Sequence, residues 1–370
     1  PVIKCKDTHE LVTPPAPVNV LDKSLADVSF LAGMLVDKFM YHLPLYRQHQ
    51  RLSQCGIEIA RPTLTNLSSR TIDLLEPIFD AQFKHILQSR VLAMDETPIK
   101  AGRKAKGKMR QGYLWPMYGE ADEIDFTYTP SRATSHVHDV LGESFSGTLI
   151  SDGYEAYARY ARQNTRVTHA QCWAHTRRYF ERAKEADPTA AAQALGRIGE
   201  LYRIEAHIQD KQLKHEDKLK YRTQHSEPVV HAFWQWCDEQ CRRHDLLPSH
   251  LLTKALKYAM ARTDSLKVFL SDPEAPIDTN HLERALRPNP MGRKNWLFCW
   301  TELGAKQVGI VQSLLVTCKL HGINPHTYLV DVLQRISQHP ASKAIELTPR
   351  LWKEKFADNP LCSDLDRRVC

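Results

Sequence analysis

The sequence predicts an α/β protein built on a mixed sheet with helices on both faces. Three observations predict it. From residue 89 the apolar spacing changes from helical to strand-like, in "RVLAMDE", "GYLWPMYG" and "EIDFTYTP", all rich in β-branched and aromatic residues. Strand-like and helix-like segments then alternate, so that the order reads β-β-β-α-β-α-β-α, which is antiparallel strands followed by crossovers. Residues 185–275 are polar, charged and helical in spacing, with no strand candidate, as expected of a helical insertion.

Taken in order, residues 1–20 are proline-rich, and Pro14, Pro15 and Pro17 argue against a helix. Cys5 hints at a zinc ribbon, but Thr8 stands where a C-x-x-C partner belongs, so a complete metal site is not expected. "LADVSFLAGMLVDKFM" has helical spacing, and "LPLYRQHQRLSQCG" ends on Gly56, a C-cap residue. "IEIARPTLTNLSSRTIDLL" reads as helix, short turn, helix: either a DNA-binding helix-turn-helix or two packed structural helices. The first two strands are joined by a basic, glycine-containing loop, as in a hairpin. "SHVHDVLGES" is a short helix, and "GTLISDGYEAYARYA" reads as strand, turn, helix. "RVTHAQC" is a strand, followed by the helix "WAHTRRYFERAKEA". The last helices are "TNHLERALRP" and "LGAKQVGIVQSLLVTCKLHG", with Gly322 as a stop.

These readings divide the chain into an N-terminal helical region, 1–88, and the first part of the core, 89–184. The insertion, 185–275, and the last core helices, 276–336, follow. A weakly patterned tail covers 337–370. A length of 370 residues exceeds a usual single core.

Composition narrows the class. Hydrophobic content of 42% with 25% charged residues is that of a soluble globular protein, and no apolar run is long enough to span a bilayer. Nine scattered cysteines without a secretion signal suggest a reducing cytoplasm rather than a disulfide framework. The chain opens on Pro1, not Met, which suggests a fragment or a processed start. The net charge of +7 is modest, but its distribution is not. "KAGRKAKGKMR" (100–110) holds Lys100, Arg103, Lys104, Lys106, Lys108 and Arg110 with no acid, and further cations cluster in "HTRRYFERAK" and "RALRPNPMGRKNW". Several such clusters in one chain point to a polyanion partner.

The acids carry the chemistry. Asp95 ends the first strand of the sequence reading, and Asp152 in "GTLISDGYEAY" ends the fourth. Both also suit turns or helix caps. If the two strands lie side by side and parallel, their ends are roughly 5 Å apart, a spacing that suits a two-metal site. Glu283 is the best third acid, although Asn280-x-x-Glu283 also fits a capping box; Glu274, Asp278 and Glu302 compete with it. A zinc site from His231, Cys237, Cys241 and His244 is weaker than a core stripe on a helix, since the two cysteines fall at i,i+4.

With these residues in view, the sequence resembles transposases of the insertion sequence 66 family, which carry an Asp-Asp-Glu (DDE) catalytic triad. The resemblance runs from about residue 20 to residue 336. It rests on "HLPLYRQ", "DETP", "GYLWPMYG", "SDGYEAY", "CWAHTRRYF", "LYRIE", "NHLERALRP", "GRKNWLF" and "HGINPHTYL", in that order. It implies a ribonuclease-H-like core with Asp95, Asp152 and Glu283 as the metal-binding triad. Cys172 and His175 of "CWAH" match a C-x-x-H signature of related transposases, which implies a place near the active site. The chain departs from the family at Asp278-Thr279-Asn280, where Asp-Asn-Asn is usual, and at "CWTEL" after "GRKNWLF", where small residues are usual. The leucine-zipper and complete zinc-ribbon segments expected upstream are absent from the sequence.

The expected activity is cleavage of transposon ends and joining of the 3′-OH to target DNA, with two Mg²⁺ ions held by the triad and Mn²⁺ as a substitute. Two alternatives stand beside it: a catalytically silent DNA-binding protein, and a nuclease without strand transfer. The hairpin cations, Arg177, Arg178, Arg293 and Lys294 are candidate phosphate contacts; Arg287 is instead placed to pair with Glu283 at i,i+4. Expected partners are double-stranded DNA, a second copy of the chain to hold two ends together, and accessory transposon-encoded proteins. No membrane is expected, and the expected location is a bacterial cytoplasm, at the nucleoid.

Overall fold

The computed structural model describes residues 3–4, 11–12, 20–22, 24, 26–363 and 365. The zinc-ribbon residue Cys5 lies outside the described residues. The sheet holds six strands: β1 (Val91–Met94), β2 (Thr97–Ala105), β3 (Lys108–Tyr118), β4 (Ile124–Thr129), β5 (Gly147–Ser151) and β6 (Val167–Gln171). β1 and β2 both run antiparallel to β3, on the edge opposite β4, in one unbroken register from Ala93–Tyr118 to Lys100–Gln111. They are two halves of one strand, interrupted at Asp95-Glu96. The backbone N–H of Asp95 still bonds Pro116 O across the gap, at 3.3 Å.

The hairpin expected between the first two strands is therefore present, with Gly107 in the left-handed region (φ 71°) at its tip. β1 ends at Met94, just before Asp95, as the sequence reading has it. One reading needs correction. The basic stretch is a pair of strand arms rather than a loop, because both backbones satisfy their hydrogen bonds on each other.

β1 pairs β5 in parallel, and β5 pairs β6 in parallel, which completes a ribonuclease-H-like mixed sheet. Helices α4 (Ser135–Leu141) and α5 (Glu155–Gln163) cover one face through Val137, Leu141, Tyr157 and Tyr160. The other face carries α11 (Asn280–Leu286) and α13 (Glu302–Leu320), with Leu282, Ala285 and Val316 packed on Ala93, Phe126 and Ile150. α13 also closes the edge of β4. Ser313 Oγ accepts the Phe126 N–H at 2.9 Å, and Thr317 Oγ1 accepts that of Ile124 at 3.2 Å. A sheet edge left open would be a template for misassembly.

Ahead of the sheet stand α1 (Val28–Phe39), α2 (Leu45–Gln54) and α3 (Arg61–Ile86). The helix-turn-helix segmentation of "IEIARPTLTNLSSRTIDLL" is corrected: Ile57–Ala60 are extended, and one 26-residue helix runs from Arg61. Pro62 falls in its first turn, where a missing N–H costs nothing. Ile72, Leu75 and Ile78 commit α3 to the core shared with α1, α13 and α14 (Pro325–Arg335).

The insertion is helical, as expected. It comprises α7 (Pro188–Asp210), α8 (His215–Cys241), α9 (Leu251–Met260) and α10 (Thr263–Lys267), with its own core against Trp173 and Phe180 of α6 (Trp173–Ala183). Cys237 is buried in that core while Cys241 is exposed, as a core stripe reaching the end of its helix requires. The weakly patterned tail holds a short α-helix. Residues 349–356 form α15, where Trp352 is buried and Arg350 pairs with the buried Glu123 at 3.1 Å. Its short length hid it from helical spacing. No helix among the described residues is long and apolar enough to cross a membrane.

Candidate active site

Asp95 sits at the interruption between β1 and β2, and Asp152 lies just past β5. Each carboxylate folds back on its own turn. Asp95 Oδ1 accepts the Glu96 N–H at 2.7 Å, and Asp152 Oδ1 accepts the Tyr154 N–H at 2.8 Å. The turn chemistry legible in both segments is real, and it leaves each carboxylate a second oxygen.

Glu283 arrives from α11, whose Leu282 and Ala285 pack on the sheet beside Ala93 and Ile150. The capping box does not form. Thr279 is the N-cap of α11 without a side-chain cap, and the Glu283 carboxylate turns instead to α6. There it lies 3.3 Å from Arg178 and 3.7 Å from His175. The i,i+4 pairing with Arg287 is replaced by this contact, because α11 ends at Leu286 and Arg287 turns into α12 (Pro288–Trp296).

The three acids meet electrostatically. Burial, foremost, pushes the Asp95 carboxyl up to about 7; Glu96, Asp152 and Glu283 add repulsion, against the Glu96 N–H bond that favours the charge. Of the competing acids, Glu274 pairs with His215 at 3.0 Å, Glu302 lies 3.7 Å from Arg110, and Asp278 caps Asn280. Glu283 is among the charges that act on Asp95.

A fourth acid was missed by the sequence reading. The Glu96 side chain is 5% exposed and pairs with Arg132, while the Tyr157 hydroxyl donates to it at 2.7 Å. Arg132 stacks 3.9 Å from the Tyr154 ring, and the Tyr154 hydroxyl donates to Arg132 O at 2.6 Å. This network ties the Asp95 interruption to the Asp152 turn. Tyr157 stood within "SDGYEAY", but nothing in the sequence marked Arg132.

Nor did anything mark Tyr258 and Arg262, which the insertion sends to the same turn. Arg262 donates to Gly153 O at 3.2 Å and stacks 3.7 Å from the Tyr258 ring. A Cβ on Gly153 would lie 2.6 Å from the Tyr258 hydroxyl, so a side chain there would push Tyr258 and Arg262 off the turn.

Cys172 caps the start of α6, buried, and accepts hydrogen bonds from Thr279 N and Oγ1 at 3.3 and 3.4 Å. Burial pushes its thiol up, which suits a structural sulfur rather than a thiolate ligand. His175 faces Glu283, and burial followed by the Arg178 charge lowers its pKa. Among the described residues, no three His, Cys, Asp or Glu side chains converge closely enough to enclose a metal ion. The donor set is nevertheless carboxylate oxygen throughout, the chemistry that hard divalent cations require.

The cations are spread more widely. Lys100, Arg103, Lys104, Lys106, Lys108 and Arg110 are exposed along the hairpin, and Arg110 alone of them meets an acid among the described residues. Arg177 pairs with Glu181 at 2.6 Å on its own helix, Arg293 is half-buried on α12, and Lys294 beside it is exposed.

The profile of the Transposase IS66 family matches residues 23–307, and that of the IS66 C-terminal element matches residues 313–349. The chain belongs to the IS66 transposase family. Relatives in Sinorhizobium fredii carry the names uncharacterized protein y4hP, y4jD and y4qI. The first is 30% identical over 95% of this chain and 67% of its own length. The second is 30% identical over 92% and 68%, and the third 29% identical over 92% and 65%. The chain spans about two thirds of the length of these relatives. The match to the IS66 C-terminal element takes in the end of α13, α14 and the segment before α15.

Proposed function

We propose that this IS66 transposase cleaves DNA at transposon ends and joins the freed 3′-OH to target DNA, with Asp95, Asp152 and Glu283 as its catalytic carboxylates. One observation carries the reading. Burial, with repulsion from Glu96, Asp152 and Glu283, raises the Asp95 carboxyl to about 7, so acids from a strand interruption, a strand end and a distant helix act on one another there. A cluster of like charges weakens the fold unless cations neutralise it. DDE transposases typically use a divalent metal, and the carboxylate oxygens fit Mg²⁺. Bound there, it would neutralise charge on the phosphate and make water or a 3′-OH nucleophilic.

The chain's own residues set the rest. Arg178 and His175 hold Glu283 at the site until cations compete for it. The Glu96–Arg132–Tyr154 network fixes the spacing of the two aspartates. Tyr258 and Arg262 brace the Asp152 turn from the insertion. The cationic hairpin leads away from Asp95 and suits a DNA backbone, and the need to hold two ends together calls for at least two copies of the chain. Cys172 and His175 act as supports of α6 rather than as metal ligands.

The test is calorimetry of Mg²⁺ and Mn²⁺ with the wild type beside Asp95→Ala, followed by strand transfer with pre-cut ends. Binding at two sites that disappears in the variant, together with joining by the wild type, is the expected result. Equal weak binding in both would return the chain to a DNA-binding protein without chemistry. Cutting without joining would make it a nuclease.

A further inference from the structure

The apolar side chains exposed around residues 291–303 have no role in that reading. Leu297 is 62% exposed, Trp300 73% and Leu303 58%. Leu297 holds a left-handed backbone (φ 63°), a strain that branched side chains rarely bear without compensation. The segment that follows is fastened to the cationic hairpin. Cys299 N donates to Lys100 O at 2.8 Å, and Gly102 N donates to Cys299 O at 3.2 Å. Phe298 and Trp300 stand edge to face, 4.9 Å apart.

Behind these rings lies a groove of about 310 Å³ between α1, α3 and the start of α13. Phe298, Trp300 and Trp296 line it, with Lys38, Ser68 and Ser69. The Lys38 ammonium lies 4.7 Å from the centre of the Phe39 ring and has no carboxylate partner among the described residues. The groove thus offers aromatic faces and the Lys38 ammonium, beside a row of exposed cations. At the small end of ligand pockets, it matches a flat aromatic group carrying carbonyl acceptors and attached to a polyanion.

We propose that this groove receives one unpaired nucleobase of bound DNA, stacked on Trp300 while its backbone follows the cationic hairpin. The ring offers a π-face to any base, Lys38 donates to a base carbonyl, and the hairpin cations contact phosphates. Cys299, which lines the groove, bridges Ala101, six residues along the strand from Asp95, roughly 20 Å at strand rise. An unpaired base held there keeps the duplex in register with the carboxylates without touching them. The proposal rests on the DNA reading but not on catalysis.

The experiment compares metal-free binding of two DNA duplexes, one fully paired and one with a single unpaired thymine. The wild type is expected to prefer the second by about tenfold, the usual size of one base–aromatic stack. Trp300→Ala should erase the preference and keep the affinity for paired DNA, and Trp300→Phe should restore part of it. Lys38→Met should lower the preference in a second, independent way. Equal affinity of the wild type for both duplexes overturns the proposal, as does an unchanged preference in Trp300→Ala. A variant that loses only self-association assigns the patch to a second copy and overturns it too. Because no metal is present, a chain that shows the preference but never cuts refutes the catalytic reading alone, and one that cuts without the preference refutes this one alone.

Discussion

Asp95 and Asp152 stand opposite each other across two adjacent parallel strands. The last pair in register is Ala93 with Ile150, and each aspartate lies two residues further along its own chain segment. A one-residue slip would turn one of them to the far face of the sheet. Register, more than turn chemistry, therefore decides whether these acids act together.

The raised ionisation of Asp95 gives a pH dependence with a definite sign. Its folded pKa, about 7, lies above the ordinary value of 3.8, so the folded state binds the proton more tightly. Stability of the metal-free protein is expected to fall as pH rises from about 4 to about 7. Buried Asp125, also pushed up to about 7 by desolvation, contributes to the same slope. Asp95→Asn should flatten part of it, and Mg²⁺ should raise the melting temperature more at pH 8 than at pH 5. A pH profile identical in wild type and variant would refute this.

Tyr157→Phe removes the hydroxyl that donates to the buried Glu96 carboxylate. Leaving that acceptor short of a partner should cost about 1–3 kcal/mol, read from urea unfolding. The change should also lower cleavage, since Glu96 and Arg132 tie the two aspartate turns together. Wild-type stability in the variant would mean that Arg132 alone satisfies Glu96.

Arg262→Ala takes the insertion's grip off Gly153. The fold should survive, because the insertion keeps its own core on Trp173 and Phe180. Cleavage should fall about tenfold, about 1.4 kcal/mol of positioning. Unchanged turnover would confine the insertion to other roles.

The hairpin cations should show themselves in salt dependence. Binding releases counterions from the DNA, and each phosphate that a cation neutralises adds about 0.9 to the slope of log affinity against log salt. Lys104→Ala and Lys106→Ala should each lower the slope by about that amount for any DNA sequence. Arg177→Ala, whose partner Glu181 is on its own helix, should change it less. Slopes equal to the wild type in both lysine variants would take the hairpin out of the DNA path.

Gly309 sits where α13 crosses β4, and a Cβ there would lie 2.1 Å from Phe126 O. Backbone cannot yield as a side chain would, so Gly309→Ala should destabilise by about 3 kcal/mol. Thermal unfolding will check it; a drop below about 0.5 kcal/mol would show that α13 can shift.

Much of this protein is decided locally and is legible in the sequence. The strand alternation in 89–129, the helical spacing of the insertion and the stop at Gly322 follow from side-chain period and backbone freedom, which need no partner. The nine motif blocks likewise point to the family before any coordinates. Where the local signal was ambiguous, the outcome depended on distant packing. The stretch from Arg61 to Leu75 became one helix because α3 is held by α1, α13 and α14, and Glu283 left its capping role because α6 brings Arg178 within reach. The tertiary structure alone decided the network of Glu96, Arg132 and Tyr157, and the approach of Tyr258 and Arg262 to Gly153. It also placed Trp300 beside the cations. Each of these joins residues far apart in the chain, and hydrogen bonds and stacking act only across a few ångströms, so no spacing along the sequence can announce them.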